Sequence, residues 1–169
     1  MQSLKNTFVF PLVTLVLLFV CISPSVAATS EEKEMADAIL TIKTLADQGD
    51  AKAQYILGSL YQKFEEHHTA FEWFEKSALQ GNEASQSKVG FLYYTGLGVR
   101  QDYAKAFEFS LKAANKKVEA SYFPVAVMYE LGQGVRQDNK KAKDWYGKYC
   151  DSGNQLGCDE YRKLNEQGY

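Results

Sequence analysis

Two stretches of this chain carry the spacing of a serine nucleophile with a lysine one helical turn later: Ser85-Gln86-Ser87-Lys88 and Ser30-Glu31-Glu32-Lys33. A lysine at that spacing can take the hydroxyl proton, as in penicillin-recognising hydrolases, but such sites also need Ser-Asp-Asn and Lys-Thr-Gly segments. Neither occurs here. Glu65, Glu66, His67 and His68 offer oxygen and nitrogen donors, yet adjacent residues point in different directions and rarely converge on one ion. Gly96-Leu97-Gly98-Val99-Arg100-Gln101 lacks the terminal Gly-Lys-Ser/Thr of a phosphate-binding loop. The residues therefore predict no catalytic site, no metal and no cofactor.

These residues sit within a repeated unit. The segment Gly96-Leu97-Gly98-Val99-Arg100-Gln101-Asp102 returns as Gly132-Gln133-Gly134-Val135-Arg136-Gln137-Asp138, 36 residues later. Anchoring the copies on Gly49, Gly81, Lys117 and Gly153 gives spacings of 32, 36 and 36. Small residues recur four positions on (Ala53, Ser85, Ser121, Gly157) and nine positions on (Gly58, Gly90, Ala126). Around them fall Leu57, Val89 and Val125, then Leu60, Leu92 and Met128, then Tyr61, Tyr93 and Tyr129, a single buried helical stripe. A second helix follows each loop, with Ala70, Ala106 and Ala142 aligned and Trp73-Phe74, Phe109-Ser110 and Trp145-Tyr146 after them. Asp102 and Asp138 stand where a carboxylate caps that helix, and Gly96 and Gly132 where the preceding one ends. Pairs of this length cannot bury their apolar faces alone, so they must stack.

The pattern small-Gln-x-x-Leu-Gly-x-Leu-Tyr, Gly-x-Gly-Val-x-Gln-Asp-Tyr-x-Lys-Ala and Trp-Phe-x-Lys-x-Ala resembles the Sel-one-like repeat (SLR), a tetratricopeptide-like helix pair. The resemblance runs from about Ala46 to Gly153. It implies an all-α fold, a right-handed α-solenoid of stacked antiparallel helix pairs. The expected divisions are a half-repeat helix over 29–46, repeats over 47–80, 81–116 and 117–152, and a capping helix over 153–169. The first repeat has a loop four residues shorter, Lys63 to Thr69. Thr29 and Glu32 have capping-box spacing ahead of Ala38, Ile42, Leu45 and Ala46, which fall at second-helix offsets. The last helix carries Cys158, Tyr161 and Leu164 at first-helix offsets but Arg162 in place of the small residue, which suits a closing cap. Pro124 falls inside the first helix of the third repeat, where it removes a backbone hydrogen bond and is expected to bend the segment, whether or not that shapes a groove.

Residues 1–28 read as a secretory signal: Lys5, an apolar run from Phe8 to Ile22 with one proline, then Ser25-Val26-Ala27-Ala28 with cleavage after Ala27 or Ala28. An uncleaved anchor is the competing reading, since about 15 apolar residues approach the length of a membrane span. Val20 before Cys21 is not the small residue that lipidation requires. Of the 169 residues, 141 remain after residue 28, with 18 Lys and Arg (19 less Lys5) against 21 Asp and Glu. A mildly acidic balance gives no footprint for nucleic acid.

Cys150 and Cys158 occupy offsets held elsewhere by Ala78 and Gln86, or by Ala114 and Tyr122, which face one another across a helix-turn-helix. A disulfide there would contribute about 2–3 kcal/mol by the chain-entropy estimate and fits an oxidising compartment. No Cys-x-x-Cys is present to support the alternative of a metal or redox site. The arrangement also resembles the cysteine-rich secreted branch of the SLR family. That adds support for export to the periplasm or beyond.

The resemblance places first-helix residues on a concave face, at Tyr55, Ser59 and Gln62, at Ser87, Phe91 and Tyr94, and at Phe123, Val127 and Glu130. Tyr55, Phe91, Tyr94, Phe123, Val127 and Glu130, with Arg100 and Arg136 near one rim, are the candidate partner-binding residues. Phe123 has the alternative of completing the core. The function implied is a non-enzymatic protein-protein interaction module, an adaptor or scaffold whose partner is another protein, with no membrane insertion once the signal is removed. The alternatives are an immunity-like inhibitor of a periplasmic toxin and a weak β-lactam or peptidoglycan hydrolase. The last would require an exposed Ser85 beside Lys88.

Overall fold

The computed structural model describes residues 30–169, so the expected signal over residues 1–28 and the capping residue Thr29 lie outside the described residues. Helix α1 spans Ser30–Asp47. Three antiparallel pairs follow: α2 (Ala51–Lys63) with α3 (His67–Leu79), α4 (Glu83–Thr95) with α5 (Tyr103–Asn115), and α6 (Tyr122–Leu131) with α7 (Asn139–Asp151). Helix α8 (Gln155–Glu166) closes the order. The described residues hold no strand, and each helix packs chiefly on its neighbours in sequence, which makes the architecture an α-solenoid. None of these helices is long and apolar enough to cross a membrane.

The core is a continuous file of side chains. One cluster runs from Ala46 to Phe109 and takes in Met128, a second runs from Ala114 to Leu164, and Phe107 packs against both. Leu57, Val89 and Val125 are buried as their offset predicts, as are Tyr61, Tyr93 and Tyr129. Leu60, by contrast, is only partly buried. Helix starts are capped as expected: Asp102 accepts the amides of Ala104 and Lys105, and Asp138 that of Lys141. The Lys141 amide also holds the Asp138 carboxyl below its usual range. Asp50, Asn82 and Asn154 cap the first-type helices in the same way.

Stacking register is set where the backbone has no side chain. A Cβ on Gly98 would lie 2.3 Å from the carbonyl oxygen of His67, and one on Gly134 would lie 2.0 Å from that of Tyr103. Each loop thus seats its second glycine on the first residue of the preceding repeat's second helix. His68 Nδ1 adds a contact of 3.0 Å to the Gly98 oxygen. The first repeat lacks such a loop because only residues 64–66 separate α2 from α3, with Glu65 turned to φ 62°. Lys117, aligned with the glycine anchors, likewise takes φ 66°, a conformation costing about 1–2 kcal/mol for a residue with a Cβ.

One offset shows the same junction closed by different chemistry. Gln54 Nε2 donates to the Ala46 carbonyl at 3.1 Å and Gln86 Nε2 to the Ala78 carbonyl at 3.2 Å. At the last junction the equivalent pair is the Cys150–Cys158 disulfide, with Cα atoms 4.6 Å apart. The bond expected from the alignment is present, and it pins α8 to the end of α7. A polar tie does the same from the other side: Tyr146 donates to Glu130 at 2.7 Å, and Lys163 of α8 lies 3.9 Å from the same carboxylate and donates to Glu160.

Pro124 requires a correction. It does not bend a helix from within, because a 3₁₀ turn over Glu119–Ser121 precedes it and α6 starts only at Tyr122. Proline is then the third residue of an α-helix, where its missing N–H has no intrahelical acceptor to lose. The result is a first-type helix of 10 residues where α2 and α4 have 13.

Two consequences can be measured. Gly153 is left-handed at φ 90° with open space around it, so Gly153→Ala should lose only the backbone penalty of about 1–2 kcal/mol. Gly134→Ala must also push α5 away and should lose a further ~1–3 kcal/mol in urea unfolding, and equal losses would show that the seat does not set the stack. Burial, then the Glu130 hydrogen bond, raises the Tyr146 hydroxyl well above its ordinary value of 10.0. Unfolded tyrosine ionises near pH 10 while the folded group stays neutral, so its contribution is complete below that pH and is lost as pH rises further. The urea midpoint should fall between about pH 9.5 and 11.5, and Tyr146→Phe should flatten that fall. An unchanged slope in the variant would assign the effect elsewhere.

Candidate partner-binding surface

Where the second helices cross the first, a small residue faces an aromatic one. In the first repeat Gly58 lies under Phe74, whose ring would be 2.9 Å from an added Cβ. In the third, Ala126 aligns with Gly58 and Tyr146 with Phe74, and both are buried. The second repeat breaks this pattern, because Gly90 faces Ser110. Two small residues meet where the other crossings hold a ring. The missing ring leaves a cavity of about 170 Å³ lined by Gly90, Phe91, Tyr94, Ser110, Phe123, Pro124, Val127 and Met128.

Four of the expected partner residues converge there: Phe91, Tyr94, Phe123 and Val127. Phe91 is 51% exposed on α4 and forms one lip. Tyr94 is held by an edge contact with Tyr103 at 5.4 Å. Phe123 lies on α6, half-buried, with its ring 5.7 Å from both Tyr146 and Tyr149. It therefore supports the core on one side and lines the cavity on the other. Pro124 belongs to the wall, which its place in the first turn of α6 makes possible.

The remaining candidates are elsewhere. Tyr55 is half-buried, its ring 5.8 Å from Phe74. Glu130 is engaged by Tyr146 and Lys163, and its backbone oxygen accepts from Gln137, so it ties α6 to α7, α8 and the loop. Arg100 and Arg136 are both exposed, and neither lines the aromatic cavity. Arg136 instead borders a second, more polar depression with Asp138, Lys140, Lys141 and Tyr169. The loops carrying the arginines fold back on the ends of the first helices, through Gln101 to the Tyr94 oxygen and Gln137 to the Glu130 oxygen, both at 2.7 Å.

The nucleophile reading of Ser85 meets a physical obstacle. Ser85 is 0% exposed, and its hydroxyl donates to Ser77 at 2.7 Å, which in turn donates to the Ala51 carbonyl. That hydroxyl is part of a helix contact and is closed to substrate. His67 and His68 stand in the first turn of α3, and no group of three or more His, Cys, Asp or Glu among the described residues is placed to hold a metal.

The helix offsets predict the aromatic lining but not the Ser110 floor. The signal was in the alignment, where Ser110 stands opposite Phe74 and Tyr146.

A model of the Sel1 repeat matches residues 51–82, 84–118 and 120–154. No curated protein matches the chain. Among solved structures, a protective antigen present in uropathogenic Escherichia coli strains and displaying an SLR fold is 30% identical, with a TM-score of 0.71 over 92% of this chain. The matched part is 33% of that antigen, so the chain spans about a third of its length. A Sel1 repeat protein from Oxalobacter formigenes is 28% identical with a TM-score of 0.67, over 75% of this chain and 98% of the other. Helicobacter pylori cysteine rich protein B shares the fold at 20% identity and a TM-score of 0.56, over 78% of this chain and 97% of its own. Sel1 repeat proteins are generally protein-interaction modules and typically non-enzymatic scaffolds. With more than half of its residues inside matched repeats, the chain belongs to the Sel1 repeat family.

Proposed function

We propose that this chain is an exported, non-enzymatic adaptor that holds a partner protein by seating one large apolar side chain between α4 and α6. The observation that carries this reading is the cavity opened by Ser110, with its almost wholly apolar lining and Phe91 exposed at the lip. Interface energy concentrates in a few apolar anchors that fill pockets, and a cavity of about 170 Å³ suits one such anchor. Export is supported by the Cys150–Cys158 bond, which persists only in an oxidising compartment, and by the signal-like pattern of residues 1–28. A periplasmic or secreted location follows from that reading.

The test is affinity capture from the envelope and secreted fractions of the source cells, comparing the parent chain with two variants. Phe91→Ala removes the lip and leaves the core intact. Ser110→Phe supplies the ring that the second repeat lacks, copying the Gly58 and Phe74 arrangement, so the chain fills its own cavity. A partner captured by the parent should be lost by at least tenfold with either variant, on the order of 1–3 kcal/mol for a hot-spot contact. Equal capture by all three folded chains would remove the cavity from the interface.

A further inference from the structure

The two ends of the stack are finished differently. At the C-terminal end, α8 turns outward Asp159, Arg162 and Glu166, all of them exposed. Arg162 stands where Gly58 and Gly90 admit a second helix, so a further helix cannot approach there as it does within the repeats. That end is closed by charge and bulk. At the other end of the described residues α1 is a second-type helix, and no described helix stands before it as a first-type partner. Ala38 is exposed, while the aligned Ala70, Ala106 and Ala142 are only 1%, 0% and 0% exposed. Leu45 is 43% exposed where Ser77 and Ala113 are fully buried, and Met35 is 64% exposed. Met35, Ala38, Ile42 and Leu45 follow one another at spacings of three and four, a stripe along one side of the helix.

We infer that this stripe is the contact between two copies of the chain, paired through α1 in an antiparallel, two-fold arrangement. An end-to-end contact would need the apolar stripe to meet the polar, Arg162-bearing face of α8, and would leave filaments open at both ends. Self-pairing needs only the stripe, and it closes at two copies. Charge selects the antiparallel sense. The first half of α1 carries Glu31, Glu32, Glu34 and Asp37 against Lys33, and the second half carries Lys43 beside Asp47. Antiparallel pairing keeps the two acidic halves at opposite ends, each beside the less acidic half of the other copy, whereas parallel pairing sets acid against acid. With the two-fold axis between Ala38 and Ile42, Met35 of each copy packs on Leu45 of the other, and the small Ala38 lets the helices approach.

The experiment is sedimentation analysis of the full chain, exported by its host, recovered with its N-terminus read by mass spectrometry, and compared with Met35→Glu/Leu45→Glu. The parent should show twice the mass of one chain at high concentration and dissociate on dilution. The double variant should show the mass of one chain at every concentration, with unchanged helical circular dichroism. A parent that stays single throughout, or a variant that still pairs, would overturn the inference. Ala38→Cys gives a second readout that does not depend on the glutamates being tolerated. Mild oxidation should link two chains through it in high yield, while Arg162→Cys at the closed end should not link. Equal linking at both positions would count against the α1 pair.

Discussion

Gly98 and Gly134 lie against the first carbonyls of the second helix in the repeat before them, and those contacts fix how far each repeat slides and turns on its neighbour. Side-chain packing between helices tolerates small rotations, because one apolar residue can replace another's contact. A backbone seated on a backbone carbonyl has no such freedom, since any Cβ would lie within 2.3 Å of an oxygen. The buried file of Leu57, Val89 and Val125 can be continuous only because this seat repeats. The caps, the aromatic contacts and the disulfide act on a register already chosen.

A solenoid built in this way has regular walls, so its distinctive chemistry arises where one copy departs from the others. Ser110 in place of a ring is one departure, and it converts a helix crossing into a cavity without disturbing either helix. Pro124 is a second, tolerated because the turn before it tightens to a 3₁₀ turn and moves the helix start downstream. Both line the same cavity. The third departure is chemical: a disulfide at Cys150 and Cys158 does at the last junction what Gln54 and Gln86 do by hydrogen bonds at the first two. α8 is held to α7 by that covalent tie and to α6 through the Glu130, Tyr146 and Lys163 contacts.

How much of this was legible in the sequence follows from what periodicity encodes. Offsets report which way a side chain faces relative to its own helix, so the buried stripe, the caps at Asp102 and Asp138 and the facing cysteines could be read directly. They also brought Phe91, Tyr94, Phe123 and Val127 to one surface. Offsets do not report what a long side chain reaches. Glu130 shared the concave offset yet turns to Tyr146, and Arg136 shares a loop with the stacking glycine yet borders a different depression. The start of α6 was missed for a related reason. Aligning Pro124 with helix interiors assumed a full-length helix, whereas the chain had the option of beginning the helix later.

The outermost described helices obey the same physics as the interior ones. Every second-type helix presents two apolar sides, one to its own first helix and one to the next repeat, and burying only one leaves the other facing water. α7 has both sides covered, by α6 and by α8, and α8 carries a polar outer face. Among the described residues α1 packs chiefly on α2, and its other side exposes Ala38 and Leu45 at interior offsets, where a cap would carry charge. Exposed apolar surface of this kind persists without aggregation when something complementary covers it, and among surfaces of this chain the polar α8 is not complementary to it. The stripe on α1 is complementary to itself.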